Sequence, residues 1–177
     1  MTSLFPAPDS ISGLTGPQKC TIYAAWQLIK KDFQIHARNV FARFFEEYPT
    51  YLNHFNDENE PNNKIHRHSL AVFESLNLLI EIGFNDVNAY EHHLSALVKF
   101  HPNIRRDDVK NMSDTITNYL LETLEKQRTN TLNISLVAFF EGICKAFDQI
   151  SHVEEELGLN EASSLWSTED QETKSEV

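Results

Sequence analysis

The chain has 177 residues, 41% of them hydrophobic and 23% charged, with a net charge of -11. That length suits one domain with a full-sized core, and the acidic balance speaks against nucleic acid and anionic membranes as partners. No apolar run reaches bilayer length, residues 1–14 lack the pattern of a secretory leader, and Cys20 and Cys144 make neither a disulfide framework nor a metal motif. The expectation is a protein of the reducing cytoplasm, with both thiols buried or half-buried.

Only 5 glycines and 6 prolines occur, so few breakers interrupt helices, while 12 phenylalanines call for a large apolar volume. Residues 1–13 read as a flexible lead-in. Thr15 and Gln18 form a capping box with Pro17 in the first turn. Ile22, Trp26, Ile29 and Phe33 then recur at helical spacing, which predicts a first helix to about Asp32. Val40, Phe41, Phe44, Phe45 and Tyr48 make the broad face of a second helix, which Pro49 ends or redirects. Residues 50–55 read as a short helical turn and 56–63 as an acidic loop. A third helix is expected over 63–82, with Ile65, His68, Val72, Leu76 and Leu79 inward and Gly83 as its stop. Residues 84–88 read as a linker, and 89–101 as a helix with Leu94, Leu97 and His101 on one face, ended by Pro102. Asp107 or Asp108 is the expected cap of the next helix, with Val109, Met112, Ile116 and Leu120 inward and an end near Gln127. A last helix runs from Thr131 to about Gly158 with Leu136, Phe140, Ile143, Phe147 and Ile150 inward. Residues 159–177, rich in Ser, Thr and Glu, read as a disordered acidic tail. Nothing reads as a strand, so the fold class is all-α.

Of the eight histidines, His36, His54, His66, His92, His93 and His152 fall on polar stretches or off the apolar faces and read as solvated surface. His68 and His101 differ, because each continues the apolar stripe of its helix. Either is explained by a core imidazole with both nitrogens hydrogen-bonded, or by a metal ligand. Two such residues on separate helices facing an aromatic core fit imidazoles on opposite faces of a haem. Ordinary packing explains the phenylalanines equally well.

The order of landmarks resembles the globin family over residues 14–158. Leu14, Thr15 and Trp26 resemble its first helix. The stretch from Phe44 to Phe55 resembles the junction of helices B and C, with Pro49 opening helix C and Phe55, six residues on, at the place of the phenylalanine that stacks on haem. His68, with Val72 one turn later, matches the distal position of helix E, and Leu97 to His101 matches the end of helix F, where His101 takes the proximal place. The resemblance implies helices A, B, C, E, F, G and H without a helix D, and haem b (iron protoporphyrin IX) held between E and F. It implies a pocket of Phe41, Phe55, His68, Val72, Leu97, His101, Val109 and Met112. The chain departs from the family in Ala71, where a basic residue often meets a haem propionate, and in Leu132, where many relatives carry tryptophan. Arg105 or Arg106 is the expected substitute for the missing charge.

Phenylalanine at position 41 with histidine at 68 is similar to the six-coordinate animal globins of the neuroglobin and cytoglobin type and to insect intracellular haemoglobins. The expected function is reversible binding of oxygen, carbon monoxide or nitric oxide as carrier, store or sensor, with His68 as a sixth ligand when gas is absent. The alternative is a redox enzyme at the same haem, acting on nitric oxide, nitrite or peroxide with an external reductase. No Gly-rich dinucleotide loop is present to make the chain self-sufficient in that role. A haem-free scaffold is a third reading, and monomer and homodimer both stay open.

Overall fold

The computed structural model describes residues 7–55 and 61–156. The expected tail at 159–177, the first six residues of the lead-in and most of the expected acidic loop lie outside the described residues, as do the side chains of Ile150 and His152. Six α-helices and no strand occur among the described residues: α1 (Gly16–Ile29), α2 (Phe33–Glu47), α3 (Pro61–Leu78), α4 (Val87–Lys99), α5 (Arg106–Thr123) and α6 (Asn130–Glu156). None is long and apolar enough to cross a membrane.

α1 starts as its sequence predicts. Thr15 Oγ1 accepts from the Gln18 amide, and Gln18 Oε1 accepts from the Thr15 amide at 2.9 Å. The lead-in is not loose from Asp9 onward. The Asp9 carboxylate accepts from the Ile11 and Ser12 amides and pairs with Lys19 at 2.9 Å, and both Ser12 and Leu14 are buried. The first helix stops at Ile29, and the turn Lys30–Asp32 continues as 3-10 helix into α2. Past Pro49, the 3-10 segment Pro49–Phe55 replaces α-helix.

Three boundaries differ from expectation for local reasons. α3 begins at Pro61, a proline suited to a first helical turn. α4 begins two residues early because Asp86 Oδ1 accepts from the Asn88 and Ala89 amides at 2.9 and 3.1 Å. α5 begins before both expected caps; Asp108, inside the helix, closes its start by accepting from the Arg105 amide at 2.9 Å. At the far end of α3 the chain widens into a π-helical turn, Leu79–Gly83. Gly83 ends it with no left-handed backbone; Gly13 alone has positive φ among the described glycines. What Gly83 supplies is room, since a Cβ there would lie 2.8 Å from Tyr90 Cδ2 and 3.0 Å from Tyr90 Cα.

The core has two halves. In one, Trp26 meets Phe73 and Phe33 with ring centres 5.7 and 6.2 Å apart, and Ile22, Ile29, Leu132, Leu136 and Phe139 close around them. The other half surrounds a cavity. Cys144 is buried as expected, but Cys20 is exposed. His36 is half-buried rather than solvated, with Nδ1 2.8 Å from the Tyr119 hydroxyl, and His66 is half-buried too.

Gly83→Ala tests the close approach. Helix propensity alone favours alanine, whereas a Cβ against the Tyr90 backbone should cost about 1–3 kcal/mol. Denaturant unfolding decides the sign, and a variant as stable as the parent would show that α4 has slack at this point.

Candidate functional site

α4 stops where Pro102 disfavours helical backbone for the residue before it. The last turn tightens, so the His101 amide donates to the Val98 carbonyl at 2.9 Å and not to Leu97, four residues back. The Leu97 carbonyl, left without a helical partner, lies 2.8 Å from His101 Nδ1 and accepts its proton. That bond requires hydrogen on Nδ1, so in the neutral ring the lone pair is on Nε2. A proline thus orients a histidine through one orphaned carbonyl.

Across from it, α3 presents His68. The two imidazole centres are 5.8 Å apart at an interplanar angle of 69°. Phe41 from α2 and Phe55 from the 3-10 segment pack on the His68 ring, with centres 5.7 and 5.2 Å away. No hydrogen bond reaches the His68 ring among the described residues. Burial, and then charge repulsion from His101, hold its imidazole below the ordinary value of 6.5.

Around these two rings lies a cavity of about 350 Å³, within the range of small-molecule and cofactor sites. Phe41, Phe55, His68, Val72, Leu97, His101, Val109 and Met112 all line it. Its wall accounts for an oddity of burial. On α3, Ser69 and Phe73 are fully buried, while His68 and Val72, one step round the helix, are half-buried on the row that continues to Leu76 at the cavity's inner end. On α4, Tyr90, Leu94 and Val98 are buried while Leu97, and His101 just past the helix end, are half-buried. Each helix splits its apolar face between neighbouring helices and the cavity.

Sequence reasoning missed part of the lining. Ile116, Phe140, Ile143 and Phe147 were read as inward, but periodicity does not distinguish a cavity wall from solid core. Tyr51, His54, Lys64 and Asp108 also line it, and their polar neighbours in sequence gave no signal. The expected propionate partners are displaced. Arg106 pairs with Glu141 at 2.7 Å and Asp148 at 3.1 Å, and neither Arg105 nor Arg106 lines the cavity. Lys64, one turn before His68, is the cation that does.

The donor set fits an iron porphyrin. An apolar slot of cofactor size has one preset nitrogen donor on one wall, a second imidazole opposite, and cationic and polar side chains among its lining residues. A family model described as Globin matches residues 38–147, a span holding both histidines and every residue that lines the cavity. No curated protein matches the chain.

The lowered His68 value has a sign that can be read in solution. An unfolded chain takes up a proton at this residue at higher pH than the folded one. Stability contributed by neutral His68 is therefore complete above about 6.5 and is lost as pH falls through the folded value. In the haem-free protein, His68→Leu should flatten that part of the pH dependence of unfolding. His36, which burial also lowers, keeps its own share in both proteins. Parallel stability curves for parent and variant would exclude His68 as a source.

Proposed function

Because the chain belongs to the globin family, whose members bind diatomic gases at haem, we propose that it holds haem b with His101 as proximal ligand and His68 as a reversible sixth ligand. The haem iron supplies the atom at which a gas such as oxygen, carbon monoxide or nitric oxide is taken up and released. The observation that carries the reading is the facing imidazole pair. The ring centres are 5.8 Å apart, a separation that would admit one metal ion held by a nitrogen of each ring at about 2 Å. A distal histidine that only hydrogen-bonds a gas has to stand farther away.

The chain's own groups divide the work. His101 offers Nε2, with its ring held by the Leu97 carbonyl. Phe41 and Phe55 pack on the His68 ring, which makes no competing hydrogen bond among the described residues. Val72, Leu97, Val109 and Met112 supply apolar wall, worth on the order of 25 cal/mol per Å² of surface removed from water on cofactor uptake. Lys64 offers a positive partner for a carboxylate. Cys144 does not line the cavity and Cys20 is exposed on α1, so no thiol stands ready for thioether attachment, which favours haem b. Because His68 competes with external ligand, gas affinity is lowered by the fraction of sites in which it is bound. The combination suits a carrier, store or sensor.

Absorption spectra of the haem-loaded parent, His68→Leu and His101→Ala test this. The deoxygenated ferrous parent should give two sharp visible bands and His68→Leu one broad band. His101→Ala should retain haem more weakly by at least about tenfold, since loss of even a supporting group costs a metal site that much. One broad band from the parent would remove His68 from the ligand set.

A further inference from the structure

The segment Pro49–Phe55 carries Phe55 to the His68 ring, yet none of its residues is fully buried. Its apolar hold on the core is only the partial burial of Tyr51 and Phe55. Tyr51 supplies a polar tie. Its hydroxyl donates to Asp108 Oδ1 at 2.5 Å and accepts from Asn111 Nδ2 at 3.3 Å. Both partners stand on α5, and the other oxygen of Asp108 accepts from the Arg105 amide, four residues after His101. One carboxylate thus joins the segment bearing Phe55 to the turn that follows His101.

From Tyr51 a run of touching rings leads inward. Ring centres are 4.9 Å apart for Tyr51 and Phe44, 5.6 Å for Phe44 and Phe45, 5.4 Å for Phe45 and Phe55, and 5.2 Å for Phe55 and His68. Aromatic pairs at such distances attract one another beyond the area they bury, so each ring's place bears on the next. We propose that Tyr51 and Asp108 are positioning residues, which set through this run how closely His68 is held toward His101. Loss of the tie frees the 3-10 segment, Phe55 recedes from His68, and external ligand gains against it. The effect on ligand competition rests on the bis-histidine reading above; the effect on the place of the His68 ring does not.

The test uses the full chain with two readouts. In the haem-loaded protein, the ratio of six-coordinate to open ferrous form is taken from the visible spectrum and from competition with carbon monoxide. In the haem-free protein, NMR reports the His68 ring shifts and its contact with Phe55. Tyr51→Phe and Asp108→Ala should each lower the ratio between about threefold and tenfold, the scale of one hydrogen bond, and the double variant should fall no further. Asp108→Asn keeps an acceptor oxygen and should lie between parent and Asp108→Ala. Glu122→Gln cuts another tie between α2 and α5, the Arg43 ion pair, and should change neither readout. An unchanged ratio and unchanged His68 signals in Tyr51→Phe overturn the proposal, as does an equal response from Glu122→Gln. Should the haem-loaded parent show no His68 coordination, the bis-histidine reading fails by itself. The NMR readout then decides the positioning role: a weakened Phe55–His68 contact in Tyr51→Phe upholds it, and an unaltered contact ends it.

Discussion

One hydrogen bond, from His101 Nδ1 to the Leu97 carbonyl, organises the site. It exists because α4 ends before Pro102 and leaves that carbonyl free of the helical ladder. The bond fixes an orientation and, in the neutral ring, a tautomer, so that Nε2 is the nitrogen with a lone pair to offer. Every other feature of the cavity is arranged with respect to that lone pair. His68 faces it, Phe41 and Phe55 back His68, and half-buried Val72, Leu97 and Val109 on α3, α4 and α5 leave the space between. Since the bond uses backbone on one side, no side-chain substitution at Leu97 removes its acceptor.

The π-helical turn at the end of α3 belongs to the same construction. It ends at Gly83, whose missing side chain lets Tyr90 pack against the backbone. Tyr90 stands on the buried stripe of α4, with Leu94 and Val98 after it. The depth at which α4 seats at its start therefore sets the height at which His101 emerges at its end. Local geometry at a corner distant from the cavity is carried along a helix to the ligand.

Much of this was legible in the sequence, for a physical reason. Buried faces recur at helical spacing, so the stripes led by Ile22, Phe41, Leu94, Ile116 and Phe140 give the helices, and Thr15 with Gln18 gives a boundary to the residue. The two histidines stood out because an imidazole on an apolar stripe needs a partner. What stayed hidden depends on contacts between distant segments. Asp86 looked like a linker residue because an N-cap is defined by the amides it meets. His36 looked solvated because Tyr119 is far from it in sequence. Arg106 looked available for a carboxylate of the cofactor because Glu141 and Asp148, which occupy it, lie on another helix. On α3 and the turn that continues it, the inward reading holds for Leu76 and Leu79, which are buried, and for His68 and Val72, which line the cavity, but it omits buried Ser69 and Phe73, since periodicity gives a face more than 100° wide and does not tell which edge of it meets a cavity.

That cavity bears on how the protein persists as well as on what it binds. A domain that keeps about 350 Å³ open among its helices forgoes the dispersion contacts a filled core of the same size would have. An occupant that binds the folded chain and not the unfolded one returns that stability through mass action, in proportion to the logarithm of its free concentration. On the globin reading the occupant is haem, and the fraction of chains exposed to proteases falls as haem becomes plentiful. On that reading the same open space that admits the cofactor also ties the folded fraction of the chain to the supply of its occupant.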